Sequence, residues 1–236
     1  MLGIIGAMDV EVSAIKALIK NSVTTKIAGI DFVCGEIENV MVCVAECSPG
    51  KVNSAMCAQI MIDRFKPELV INTGVAGSLS NDVAIKNVVI ANDVCQYDFD
   101  TTVCGDPLGY LYGVNTVKIE CDKEASDLLA RCAINSGEKI HRGTIATGDT
   151  FVSEPLLKEK ITSAFGAICC EMEGGSIGHV CRANNIPFAV LRSISDGGNE
   201  NSFIDYPTFK KIAANISTTI LISFIKNQKT QLEIED

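Results

Sequence analysis

The chain has few of the residues that a metal site would need. It contains only two histidines, His141 and His179, and none of its 11 cysteines stands in a C-x-x-C pair. Zinc sites draw their ligands from closely spaced cysteines and histidines, and an odd cysteine count with irregular spacing argues against a disulfide framework. We therefore expect no metal site and no disulfide scaffold. Free cysteines in apolar runs are typical of buried thiols in a reducing cytoplasm.

Clustered basic residues and long apolar runs are also missing. The 20 lysines and arginines are scattered, and 29 acidic residues bring the net charge to -9. Nucleic-acid binding needs a basic stripe that neutralises phosphates, so we expect no nucleic-acid partner. The apolar runs are too short to span a bilayer, and the first residues lack the basic start of a signal peptide. We therefore predict a cytoplasmic protein with no membrane partner.

No linker, charge block or internal repeat divides the 236 residues, of which 47% are apolar. We therefore predict one domain over residues 1–236. Short apolar, β-prone segments alternate with segments of helical periodicity almost throughout. This alternation predicts an α/β fold, with three α/β/α layers around a mixed, largely parallel central sheet.

Local patterns predict individual elements within this alternation. Residues 25–37 predict one strand. The glycine-rich residues 73–78 predict either a cradle of backbone N–H groups for phosphate or a tight turn that lets the backbone approach a sugar or ring. Ser153 predicts the N-cap of a helix that starts at residue 154. Residues 97–115 have no clear periodicity and predict an irregular segment.

Acidic residues come shortly after three of the predicted strands. These residues are Glu11, the pair Glu171 and Glu173, and Asp196. Open α/β sheets bind ligands at the carboxyl ends of their strands, although an acid at a helix N-terminus can also serve the helix dipole alone. Three converging acids would raise one another's pKa. Such a site can hold both a carboxylic acid and a carboxylate base near neutral pH.

Five short motifs follow one another along the chain. They are Gly3-Ile-Ile-Gly-Ala-Met8-Asp-Val-Glu11, Ile71-Asn-Thr-Gly74-Val-Ala-Gly77, Thr147-Gly-Asp-Thr-Phe151, Cys170-Glu-Met-Glu173 and Arg192-Ser-Ile-Ser-Asp196. In this order and spacing they resemble the 5′-methylthioadenosine/S-adenosylhomocysteine nucleosidases of the nucleoside phosphorylase superfamily, over residues 2 to about 226. The resemblance implies that water cleaves the N-glycosidic bond of these nucleosides, releasing adenine and a 5-thio-substituted ribose. It also implies no cofactor and a homodimer in which a loop of each subunit helps to close the other's site.

The resemblance further implies a role for each candidate site residue. Asp196 would be the general acid that protonates adenine N7, oriented by Ser195. Glu11 would activate the attacking water, with Arg192 helping to place it, and Glu173 would bind the ribose hydroxyls and favour the developing positive charge. The other implied substrate-binding residues are Met8, Gly77, Phe151, Val152, Met172 and Tyr206. The chain departs from the family at Val75, where many relatives carry a hydroxyl.

Two other functions are weighed against this one. A phosphate-dependent purine nucleoside phosphorylase would need cationic groups to hold its nucleophile, and Glu11 would repel a phosphate dianion. A catalytically silent nucleoside-binding protein would need neither the acid nor the base. The residues therefore favour hydrolysis over both alternatives.

Overall fold

Strands and helices alternate along the chain, as the sequence predicts. The computed structural model describes residues 1–235, with side chains for residues 1–228. The strands are β1 (Leu2–Gly6), β2 (Lys20–Ile27), β3 (Ile30–Ile37), β4 (Val40–Glu46), β5 (Leu69–Ser78), β6 (Val88–Gln96), β7 (Lys118–Glu120), β8 (Ile140–Thr147), β9 (Ala167–Glu171) and β10 (Phe188–Asp196). The helices are α1 (Asp9–Lys16), α2 (Lys51–Phe65), α3 (Lys123–Asn135), α4 (Pro155–Phe165), α5 (Gly174–Ala183) and α6 (Ser202–Glu235). The predicted domain boundary at residue 236 lies outside the described residues.

The strands form one mixed sheet, part of which closes into a ring. The ring runs β10–β6–β8–β9–β5 and closes because β10 also pairs with β5. From β5 the sheet extends through β1, β4 and β3 to β2, while β7 pairs with β6. The α/β class and the mixed sheet are confirmed. Five of the strand pairs are parallel and five are antiparallel, and two of the antiparallel pairs, β2–β3 and β3–β4, are hairpins.

Helices cover both faces of this sheet. On one face, Met61 of α2 and Ile177 of α5 lie in a core cluster with strand residues. On the other face, α1, α3 and α6 contribute a second cluster that includes the fully buried Leu129 and Phe224. Of the helices in the described part of the chain, none is both long and apolar enough to cross a bilayer.

Three local predictions are wrong. Residues 25–37 hold the end of one strand and the whole of another, because Ala28 and Gly29 adopt positive φ angles of 52° and 81° and form a hairpin turn. Residues 73–78 are not a turn but the second half of β5. The N-cap of α4 is Glu154 rather than Ser153, and it makes no side-chain capping bond. The predicted irregular segment does hold only a 3₁₀ turn at Thr102–Cys104 and an isolated bridge.

Candidate active site

An open cavity lies where the carboxyl ends of β5, β9 and β10 meet. These ends come together because β9 pairs with β5 only at Gly77 and Ser78, and β10 runs parallel to β5 as far as Asp196. The predicted site residues in its lining are Met8, Glu11, Gly77, Phe151, Val152, Met172, Glu173, Ser195, Asp196 and Tyr206. Arg192 is the one predicted site residue outside this lining.

Glu11 is held at the cavity by backbone amides. It lies in the first turn of α1, where its Oε2 accepts the N–H groups of Ala7 at 2.7 Å and Met8 at 2.9 Å. Its Oε1 accepts the N–H of Val75 in β5 at 3.0 Å. Burial raises the pKa of the Glu11 carboxyl, although Arg192 and these three amides oppose the shift. A carboxylate with a raised pKa is a stronger base, so the position suits proton abstraction.

Asp196 ends β10 and is also fixed at both oxygens. Its Oδ1 accepts the N–H of Gly198 at 3.0 Å, and its Oδ2 lies 2.9 Å from the hydroxyl of Ser195. The Ser195 hydroxyl is also 3.3 Å from the carbonyl oxygen of Ala76. Asp196 is 3% exposed and lines the cavity. The Asp196 carboxyl therefore faces a ligand in one fixed orientation. This agrees with the predicted role of Ser195, which is to orient Asp196.

Glu173 occupies the N-cap of α5 and faces the same cavity. Its Oε1 accepts the N–H of Gly50 at 3.0 Å, which ties the loop before α2 to the site. Burial raises the pKa of Glu173 to about 8, with the neighbouring Glu171 carboxylate as the second cause. The sequence predicts that converging acids raise one another's pKa. For Glu173 burial is the larger cause, because its carboxyl is almost completely withdrawn from water.

Arg192 lies beneath the cavity and joins the acids to the sheet. It is 1% exposed, and its Nη2 donates to Glu171 and to Asn72 and lies 3.5 Å from Glu173 Oε2. Burial opposes the charge on Arg192, but the three nearby glutamates outweigh it and raise the pKa of the guanidinium. Arg192 therefore stays charged and positions the carboxylates from below.

Glu171, Asn72 and Thr147 complete this buried network. Glu171 accepts the N–H groups of Glu173 at 2.9 Å and Gly174 at 2.7 Å, and it also accepts the Thr147 hydroxyl. The Asn72 amide donates to the carbonyl oxygen of Ile5 at 2.9 Å. All three lie within the motifs found in the sequence, which places Glu171 among the acids near strand ends but predicts no role for Asn72 or Thr147. No local pattern could indicate these two, because their partners come from distant strands.

Two glycines of β5 leave the space that these side chains occupy. A Cβ at Gly74 would lie 2.5 Å from Glu11 Oε1 and 2.6 Å from Arg192 Nη1. A Cβ at Gly77 would lie 2.9 Å from Asp196 Oδ1. Real Cβ atoms do not approach other atoms this closely. The glycine-rich motif therefore serves close packing of site residues inside a strand, and not the turn that the sequence predicts.

The remaining lining is largely apolar. The Tyr206 hydroxyl lies 3.0 Å from Met8 Sδ, and the Phe151 ring meets the Tyr206 ring edge to face at 5.4 Å between centroids. Phe151 is 44% exposed, so part of its ring is free to contact a ligand. Val75 and Cys170 also line the cavity. No lysine or arginine lines it in the part of the chain with described side chains.

Comparisons with known proteins agree with this arrangement. The family model described as "Phosphorylase superfamily" matches residues 1–226. A 5′-methylthioadenosine/S-adenosylhomocysteine nucleosidase of Shewanella loihica is 34% identical, over 96% of this chain and 99% of that protein. An aminodeoxyfutalosine nucleosidase of Campylobacter jejuni is 33% identical, over 94% and 96%. The solved structure of a mutant of the Helicobacter pylori nucleosidase MTAN, with 5′-methylthioadenosine in its active site, is 32% identical, covers 96% of this chain and 98% of that chain, and has a TM-score of 0.92.

The fold and the matched family model define the class of the protein, which is a phosphorylase-superfamily enzyme. Within that superfamily, the chain belongs to the family of 5′-methylthioadenosine/S-adenosylhomocysteine nucleosidases. The family resemblance stated from the five motifs is therefore confirmed.

The raised pKa of Glu173 predicts a pH-dependent contribution to stability. The carboxyl titrates near 4.5 in the unfolded chain and at about 8 in the folded one, so the folded state binds more protons between these values. The contribution of Glu173 to the free energy of unfolding therefore falls as pH rises from 4.5 to 8. Glu173→Gln carries no such charge, so its stability relative to the parent should be higher at pH 8 than at pH 5, measured by denaturant unfolding.

The exposed Glu159 on α4 offers a matched control. Glu159→Gln should follow the parent at both pH values, because an exposed carboxyl pays no burial cost. If the free energy of unfolding of Glu173→Gln and of the parent changed in parallel with pH, Glu173 would be ionised in the folded protein.

Proposed function

We propose that the protein hydrolyses the N-glycosidic bond of 5′-methylthioadenosine and S-adenosylhomocysteine, releasing adenine and a 5-thio-substituted ribose. The convergence of three fixed carboxyl groups in one cavity carries this proposal. Relatives of the same length bear the corresponding name, and the Helicobacter pylori relative holds 5′-methylthioadenosine. No metal or cofactor takes part in the proposed reaction.

The adenine lies against Phe151, Val152 and Asp196 in this proposal. Phe151 stacks on the ring, and the backbone of Val152, a buried residue that lines the cavity, hydrogen-bonds the adenine edge. Asp196 protonates N7, which turns adenine into a neutral leaving group. The Ser195 hydroxyl and the Gly198 N–H keep the Asp196 carboxyl pointed into the cavity.

The ribose and the attacking water lie between Glu173 and Glu11. Glu173 and the backbone of Met172 bind the ribose hydroxyls, and the carboxylates around Arg192 favour the positive charge that develops on the sugar. Glu11 takes a proton from water as it attacks. Val75 has no hydroxyl to hold that water, so the placement of the water depends on Glu11, whose carboxylate is positioned by backbone amides and favoured by the charge of Arg192.

The thio substituent occupies the apolar side of the cavity. Met8, Pro49 and Tyr206 supply apolar surface there, which suits a thioether better than a hydroxyl.

We further propose a cytoplasmic homodimer, which the family resemblance implies. Free cysteines, many of them buried, support a reducing compartment. Sizing in solution tests the dimer.

The first prediction of this function is that turnover is independent of phosphate. Incubation with 5′-methylthioadenosine should yield adenine and 5-methylthioribose at equal rates with and without phosphate, because no lysine or arginine among residues 1–228 lines the cavity to hold a phosphate nucleophile. Both products are quantified by chromatography. A requirement for phosphate, with release of a sugar 1-phosphate, would make the protein a phosphorylase. Absence of adenine under both conditions would favour a silent nucleoside-binding protein.

Asp196→Asn should lower kcat by about 10²–10⁴-fold, the usual contribution of a general acid. Asparagine can still accept the Gly198 N–H, and the Ser195 hydroxyl can donate to Ala76 instead, so the fold should persist. Steady-state kinetics and calorimetric binding of 5′-methylthioadenosine check the two expectations. Asp82→Asn, at an exposed position, is the control and should keep parental turnover. Parental turnover in Asp196→Asn itself would remove that residue from the mechanism.

Glu11→Gln should abolish most turnover, and it should also cost stability. Three backbone amides point at the Glu11 carboxylate, and the glutamine NH₂ group cannot accept from them. Leaving one buried N–H unpaired costs about 1–3 kcal/mol, which denaturant unfolding measures. Kinetics are compared at a temperature where circular dichroism shows both proteins folded. Loss of adenine binding together with turnover would make Glu11 a structural residue.

A further inference from the structure

Two cysteines outside the cavity face each other across a β-hairpin. Cys34 in β3 and Cys43 in β4 are register partners in this antiparallel pair. Residues directly opposite each other in such pairs have Cα atoms about 4.5–5.5 Å apart, within the 4.4–6.8 Å range of disulfides. The backbone therefore already meets the geometric requirement for a bond between them.

The side chains meet this requirement too. The Cys34 and Cys43 Sγ atoms lie 2.6 Å apart, and both thiols are free. Among the 11 cysteines, all of which lie in the part of the chain with described side chains, no other two thiols contact each other in this way. Oxidation of this pair would therefore need little movement of either strand.

The pair is reachable from solvent on one side only. Cys34 is half-buried, and Cys43 is fully buried. A small oxidant therefore reaches Cys34 first, and Cys43 lies behind it as the resolving thiol. The same burial raises the pKa of both thiols, so the thiolate is scarce at neutral pH and exchange should quicken as the pH rises.

We propose that Cys34 and Cys43 form a redox-sensitive dithiol that a low-molecular-weight disulfide oxidises to a cross-strand disulfide. The Cys34 thiolate attacks the small disulfide, forms a mixed disulfide and releases one small thiolate. Cys43 then attacks the Cys34 sulfur and releases the second. Two electrons pass from the protein to the small disulfide, and the two protons of the protein thiols end on the two released thiols. A small thiol in excess reverses the reaction.

The test uses glutathione disulfide as the oxidant on the full chain at pH 8.5, in the parent and in Cys104→Ser. Cys104 is exposed, so its reaction in the parent shows that the oxidant is active, and its removal prevents links between chains. After denaturation and alkylation of the remaining thiols, digestion after Lys26, Glu36, Glu38 and Glu46 separates fragments 27–36 and 39–46, which carry one thiol of the pair each. Mass spectrometry then identifies linked fragments.

We expect fragments 27–36 and 39–46 to appear as one linked species that dithiothreitol separates, with two fewer free thiols per Cys104→Ser chain. Cys34→Ala in the same background should lose the linked species and leave Cys43 free to alkylate. Three results would overturn the proposal: both thiols remaining free while Cys104 reacts in the parent, Cys34 stopping at the glutathione adduct, or Cys43 linking to a different cysteine. Circular dichroism confirms that each variant is folded.

Discussion

The buried charge of Arg192 is the interaction on which the site depends. One guanidinium contacts Glu171, lies close to Glu173 and acts on Glu11, and all of these groups are withdrawn from water. Burying such charges unpaired would cost several kcal/mol each, so the cation makes the cluster of carboxylates tolerable. Losing Arg192 would leave three acids without a counter-charge, and they would take up protons or move apart. The roles proposed for Glu11 and Glu173 therefore depend on Arg192, although Arg192 does not line the cavity.

The sheet topology places this cation between its partners. Arg192 lies in β10 opposite Gly74 of β5, while Glu171 ends β9 and Glu173 caps α5. Because β10 and β9 both pair with β5, their ends cannot separate without breaking strand pairing. Because Gly74 and Gly77 have no side chains, Glu11, Arg192 and Asp196 can pack directly against the backbone of β5. The arrangement of the acids is thus a property of the sheet and not of flexible loops.

The sequence predicts the composition of the site better than its architecture. The periodicity of apolar residues identifies most helices and strands, and the five motifs identify the lining of the cavity. The ring closure between β10 and β5 could not be predicted, because pairing between distant strands leaves no local pattern. The roles of Asn72 and Thr147 could not be predicted for the same reason, because their partners lie far along the chain. The glycine-rich segment 73–78 misleads because glycine usually marks turns, and its role becomes evident only once Glu11 and Arg192 are in place.

The closed ring also has a consequence for motion. In its first half β5 lies between β1, which pairs with Leu69–Asn72, and β10, so these amides cannot open one at a time as amides of an edge strand do. Their exchange with heavy water therefore requires a large cooperative opening of the sheet. The doubly paired first half of β5 thus belongs to the slowest-exchanging part of the molecule, whereas the Val75 amide, which donates to Glu11, lies beyond the stretch paired with β1. Ligand entry must be accommodated by the opposite wall, formed by the partly exposed rings of Phe151 and Tyr206.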